Sequence, residues 1–154
     1  MYKSNYTGEQ IDHSVFNAHL LLNLSAPESI VGDGNWKSPT QNVQYVPDHT
    51  PINFEYSGGQ ATYLGEEDIT VLLLVTTSVQ AGSAGVTVTM TGGKNGTPNL
   101  AFATPTTLTN SNDLKVLPSQ SVETLTYGDT LDFYVKASAN ISMETAIFNV
   151  IKIH

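Results

Sequence analysis

Residues 127–154 read YGDTLDFYVKASANISMETAIFNVIKIH, and this stretch decides the fold class. YGDTLDFYVK and METAIFNVIKIH are expected as two antiparallel strands joined by the polar turn ASANIS, forming a closing hairpin. In the last strand Ala146, Phe148 and Val150 share one face, while Ile147, Ile151 and Ile153 share the other. Side chains alternate across a strand, so apolar residues on both faces mean that both faces are covered. One face can pack into the domain's own core. The other needs a second cover, and a neighbouring subunit is the economical one, so an oligomer built around this strand is expected.

Upstream, Ile69–Val79 repeats the pattern: Val71, Leu73 and Val75 lie on one face, Leu72 and Leu74 on the other. Val86, Val88 and Met90 alternate with Thr87, Thr89 and Thr91, as in a half-buried strand. Gly92–Gly96 is expected to be a flexible loop tip. Ile52–Tyr56 and Ala61–Leu64 flank a turn at Ser57-Gly58-Gly59, and Gly65-Glu66-Glu67-Asp68 is an acidic turn. Further strand character lies in Asn99–Thr109 and Val116–Thr126. Asp33-Gly34-Asn35 turns the chain ahead of Trp36, a core or interface anchor. Pro39, Pro47 and Pro51 break their region into short edge pieces. About eight to ten short strands at this spacing imply an all-β sandwich or barrel.

The first residues differ. Thr7 can cap a helix beginning near Gly8, with Gln10 three residues on as in a capping box. Ile11, Val15, Ala18 and Leu22 follow at helical spacing, so a helix over about residues 8–22 is expected. The expected division is a segment of residues 1–26 carrying this short helix, then a β domain of residues 27–154.

Composition narrows the function. Charged residues make up 13% of the 154, against about 25% in ordinary soluble domains. Low charge suits self-association, in which charges would have to be desolvated. The net charge of −8 and the six basic residues leave no basic stripe for nucleic acid or an anionic membrane. With no cysteine, disulfides, thiolate metal sites and a cysteine nucleophile are excluded. The start MYKSNYTGEQ has no apolar h-region, so no secretory signal is expected. The longest apolar run, Val71–Val75, is too short to span a bilayer. Synthesis in the cytoplasm is expected.

Catalytic constellations are missing from the sequence. His13, His19, His49 and His154 form no ligand-spaced pair, and neither a GxSxG elbow nor a P-loop occurs. Glu66, Glu67 and Asp68, with Asp129 or Asp132, are the carboxylates a glycosidase would need about 5–9 Å apart; a turn cap at Asp129 and solvated charges elsewhere is the expected reading. Calcium at the acidic turn is the hard-cation alternative. No catalytic residue, metal site or cofactor is expected. Tyr2, Tyr6, Tyr45, Tyr56, Tyr63, Tyr127 and Tyr134 are the candidates for a sugar platform.

Three motifs in order, GDGNW, then EEDITVLLLVTTSVQ after an FEY–GG–ATY hairpin, then YGDTLDFYVK with AIFNVIKIH, resemble the jelly-roll head shared by tumour necrosis factor and complement globular heads. The N-terminal YTGEQIDHSVFNA is similar to a segment that opens many bacteriophage fibre and head-fibre proteins, with Tyr6, Thr7, Gly8, Gln10, Ile11 and Asp12 matching and Val15 following on the helix. Together these resemblances imply a trimeric jelly-roll head on a short virion-attachment foot. The near absence of a shaft favours a stubby capsid fibre or decoration protein. Expected partners are the chain itself, a phage capsid or tail protein and, as a further expectation, a host cell-surface glycan. The expected subunit contacts are Leu72, Leu74, Phe148, Ile151 and Ile153. The alternative reading is a receptor- or carbohydrate-binding tip of a tail fibre.

Overall fold

The computed structural model describes residues 18–57 and 59–154. Its strands are β1 (His19–Leu24), β2 (Glu28–Ile30), β3 (Val43–Tyr45), β4 (Phe54–Ser57), β5 (Gln60–Tyr63), β6 (Ile69–Ala81), β7 (Val86–Lys94), β8 (Thr97–Pro98), β9 (Thr104–Leu108), β10 (Lys115–Leu125), β11 (Thr130–Ala137) and β12 (Ile141–Lys152). A turn of 3-10 helix at Leu100–Phe102 joins β8 to β9. The first sheet runs β10-β6-β12-β1-β3, with β2 also on β12; the second runs β4-β5-β11-β7-β8, with β9 also on β7. The chain changes sheet at each step from β5 to β6 to β7 and again from β10 to β11 to β12. This is an all-β jelly-roll sandwich.

Alternation along the long strands builds the core. Ile69, Val71, Leu73 and Val75 of β6 are buried against the second sheet, whereas Leu72 and Leu74 turn outward and are half-covered. Val86, Val88 and Met90 of β7 and Leu131, Phe133 and Val135 of β11 face them from the other side. β12 lies beside β6, with Phe148 opposite Val75 and Ile151 opposite Leu72. A bulge between Met143 and Thr145 shifts its register, so Ile141 and Met143 before it and Ala146, Phe148 and Val150 after it all face inward. The freed polar groups at the bulge are matched by β6: Thr77 Oγ1 donates to the Thr145 carbonyl at 2.7 Å, and Ser78 Oγ lies 2.6 Å from Thr145 Oγ1.

Four expectations are corrected. The closing pair is not a hairpin: β11 belongs to the second sheet and β12 to the first, and the turn between them crosses the sandwich. Residues 18–22, expected as the end of a helix, are extended instead, and His19–Leu24 is β1. The open edge of β12 captures it by backbone pairing, from His19 opposite Ile151 to Asn23 opposite Ile147. Leu20 and Leu22 are buried in the core, so the sandwich begins before the boundary expected at residue 27. The rest of that helix lies outside the described residues. Third, Gly92, Gly93 and Lys94 are strand, not loop. Only Asn95-Gly96 turns, with φ of +52° and +81°, the two positive φ angles of a tight hairpin turn. Gly92 is required by close approach: a Cβ there would lie 2.0 Å from Ser121 Oγ and 2.9 Å from Leu73 Cδ2. The fourth correction, at Phe148, concerns the candidate site.

Candidate functional site

Because β10, β6, β12 and β1 pair in register, their outward side chains form three rows. The first is Val122, Leu72, Ile151, His19; the second Gln120, Leu74, Asn149, Leu21; the third Pro118, Thr76, Ile147, Asn23. None of these positions carries Asp, Glu, Lys or Arg. Ile147 is 53% exposed, and Val116, further along the outward side of β10, is 63% exposed. A groove of about 430 Å³ lined by Leu74, Thr76, Pro118 and Gln120 opens at the β10 side of this face.

The outward side of the second sheet contrasts with it. Thr107 lies opposite Thr87, and Pro105 opposite Thr89, with Lys136 on the other side of Thr89. Lys136 reaches over the half-buried Trp36 ring, with its Nζ 4.8 Å from the ring centroid. A polar face of this kind is stable in water. A face without Asp, Glu, Lys or Arg, mixing aliphatic side chains with neutral polar ones, is what a protein surface presents where another protein covers it, since charged groups are depleted at the centre of interfaces.

Of the expected contact residues, Leu72, Leu74 and Ile151 lie on this outward face, and Ile153 is exposed just beyond the end of β12. Phe148 does not join them. It points inward and packs against Phe133 with centroids 5.5 Å apart, 5% exposed within a single chain. Its parity with Ala146 and Val150 assigns it to the core. Leu21, Val122 and Ile147 lie on this outward face as well. Leu21 was hidden by the helical reading of its segment; strict alternation from Ile151 back to Ile147 is the signal that finds Ile147. Tyr6, Thr7, Gly8, Gln10, Ile11, Asp12 and Val15 lie outside the described residues.

The carboxylates divide into structural roles. Asp129 caps the turn before β11: its Oδ2 accepts from Thr126 N at 2.9 Å, and its Oδ1 from Asn95 Nδ2 at 2.8 Å. Burial alone would raise its carboxyl, but these hydrogen bonds and the Lys94 charge outweigh it and hold the pKa below 3.8. Asn95 Oδ1 in turn accepts from Thr130 N at 2.9 Å, tying two turns together. Glu66, Glu67 and Asp68 are exposed. Asp132 is the perturbed one: burial pushes its carboxyl above 3.8, only partly offset by the Tyr134 hydroxyl 3.3 Å away. Burial and Asp132 together push that phenol up to about 12.

Asp132, Ser38 and Tyr56 rim a cavity of about 40 Å³ whose floor is Leu73, Phe133 and Phe148. Ligand pockets are typically about 300 Å³ or more, so this space does not admit a sugar ring. Among the described residues no group of three or more His, Cys, Asp or Glu is placed to hold a metal ion. Of the described tyrosines, Tyr63 and Tyr134 are buried, Tyr45 and Tyr56 pack edge to face at 6.1 Å, and Tyr127 is 69% exposed.

The same two-sheet arrangement recurs in solved structures. Eiger TNF from S. frugiperda superposes with a TM-score of 0.61 at 10% identity, over 89% of this chain and 94% of that one. The fold is that of the tumour-necrosis-factor jelly roll. Murine APRIL matches this jelly roll with a TM-score of 0.57 at 16% identity, over 88% of this chain and 99% of its own. The PRD1 vertex protein P5 matches with a TM-score of 0.54 at 12% identity, over 90% and 99%. No family model matches the sequence, and no curated protein matches it. Among the described residues no helix is long and apolar enough to cross a membrane.

Proposed function

We propose that this chain is a non-enzymatic structural protein of a phage virion, a homotrimeric capsid fibre or decoration protein that docks through its N-terminal residues. The observation that carries the reading is the charge-free outward face of the first sheet, centred on Leu72, Leu74, Ile147 and Ile151. A second copy of the chain is the occupant that fits it. The face has no charge to complement, so a partner of the same low-charge composition covers it without burying an unpaired ion. The resemblance to trimeric jelly-roll heads supports a copy number of three. The phage setting is supported by the likeness to the PRD1 vertex protein P5 and by the YTGEQID segment containing Tyr6, Thr7, Gly8, Gln10, Ile11 and Asp12.

Light scattering of the full chain tests the assembly. The wild type is expected at three times the 16.5 kDa chain mass, and Leu72→Asp or Ile151→Asp, which would bury an unpaired charge at each contact, is expected as a monomer. A monomeric wild type, or a variant that remains trimeric, refutes the assembly. Virion docking is tested by adding purified protein to particles lacking it. Rebinding by the full chain, and its loss on deleting residues 1–17, is the expected result.

A further inference from the structure

At the β1 end of the outward apolar face, His19 and His49 meet edge to face with ring centroids 4.8 Å apart. His19 is held from β12, its Nε2 3.0 Å from Asn149 Oδ1. An amide oxygen only accepts, so this nitrogen carries the proton. His49 stands in the loop between β3 and β4, and its Nε2 is buried with no hydrogen-bond partner. The pair adjoins the assembly face directly, since His19 is opposite Ile151 and the next outward residue, Leu21, is opposite Asn149.

An imidazolium must place two N–H donors and one positive charge. At His49 one of those donors would have no acceptor, and a second imidazole stands beside it. Burial, and then the charge of His19, hold the His49 pKa below 6.5. The surrounding elements offer little relief. The ionisable groups on β1, β12 and the β3–β4 loop, apart from the pair, are Glu144, Lys152 and Asp48. Glu144 sits at the bulge toward the far end of β12. Lys152 alternates to the side opposite Ile151, and Asp48 is exposed to water. β3 and residues 50–53 carry no charge.

We propose that the His19–His49 pair is a pH-sensitive latch on the trimer, closing the β1 end of the subunit contact when His49 is neutral and opening it when His49 is protonated. This rests on the trimer assembled through the first sheet. The sign follows from the packing of the pair: while it is closed, His49 Nε2 has no acceptor and a second imidazole beside it, which is what holds its pKa down, so the state in which the pair has opened to water binds more protons. The contribution to assembly is therefore complete above 6.5, the ordinary histidine value, and is lost as pH falls from there toward the folded value. Each His49 that takes up a proton on dissociation raises the dissociation constant by up to about tenfold per pH unit, and three raise it about a thousandfold.

The test is sedimentation of the full chain from pH 8 to pH 5, with EDTA present, for the wild type, His49→Phe and His19→Gln. Phe keeps the edge-to-face contact and has no proton to bind. The wild type is expected to be trimeric at pH 8 and to dissociate increasingly below pH 6.5. His49→Phe is expected to stay trimeric to pH 5, with His19→Gln showing a weakened response. A wild-type trimer with the same dissociation at pH 8 and pH 5 overturns the latch and leaves the trimer standing. A wild-type monomer at pH 8 overturns both. An acid response unchanged in both variants removes the latch from this pair.

Discussion

Ile147 and Phe148 are neighbours in sequence on β12 and face opposite ways, so substituting each tests which side of the strand meets a partner. Ile147 is 53% exposed in the single chain, and half of its apolar surface is therefore still available to a neighbour. Full burial of such a side chain is worth about 1.5–3 kcal/mol, so the available half is worth about 1 kcal/mol per protomer and about 3 kcal/mol per trimer. Ile147→Ser is thus expected to weaken trimer formation about a hundredfold, at about 1.4 kcal/mol per factor of ten. Its thermal unfolding as a monomer should change little. Phe148, 5% exposed and packed on Phe133, belongs to the fold itself. Phe148→Ala opens a cavity and is expected to cost about 3–5 kcal/mol of stability, a large part of the roughly 5–15 kcal/mol that holds a domain together. Urea unfolding at concentrations where the chain is monomeric reads the fold, and equilibrium sedimentation reads assembly. If Ile147→Ser destabilises the monomer as much as Phe148→Ala does, or leaves the association constant untouched, the outward face is not the contact.

Truncation separates the N-terminal residues from the sandwich: a chain starting at residue 18 should fold, whereas one starting at residue 25 loses β1 with the buried Leu20 and Leu22 and should show no cooperative melt. Gly92→Ala forces a Cβ to within 2.0 Å of Ser121 Oγ and should cost about 1–3 kcal/mol. Ser121→Ala, whose hydroxyl has no partner to lose, should be nearly neutral alone and restore part of that loss in a double-mutant cycle. Asp132→Asn should raise the melting temperature at pH 7, because a carboxyl whose folded pKa lies above 3.8 is penalised when ionised; the gain should vanish as pH falls below 3.8. Asp129→Asn should do the reverse. Its depressed pKa contributes stability above 3.8, so that variant should lose stability at pH 7 and match the wild type in acid.

Much of this architecture is written in local alternation. Val71, Leu73 and Val75 against Leu72 and Leu74, and Phe148 and Val150 against Ile147 and Ile151, alternate with period two, so the sequence alone determines that these strands have two apolar sides. The same holds for the Asp129 cap, a short-range hydrogen bond to a backbone N–H three residues away. The absence of cysteine, read from composition, likewise rules out disulfides and thiolate ligands.

Tertiary structure decided what depended on distant partners. HLLLNL at residues 19–24 fits a helix or a strand equally well over so short an apolar run; it is a strand because the edge of β12 offers backbone donors and acceptors from Ile147 to Ile151. Gly92 and Gly93 look like a loop in isolation, yet they are strand because they pair with Phe133 and Asp132 of β11, and they are glycine because Ser121 and Thr97 stand where a Cβ would be. The bulge between Met143 and Thr145 has no local mark; it exists because Thr77 and Ser78, more than sixty residues away, supply its hydrogen bonds. His19 and His49, thirty residues apart, meet only because β1 and the loop after β3 are drawn to the same edge of one sheet. Periodicity is a property of neighbours along the chain, whereas pairing, close approach and burial belong to neighbours in space.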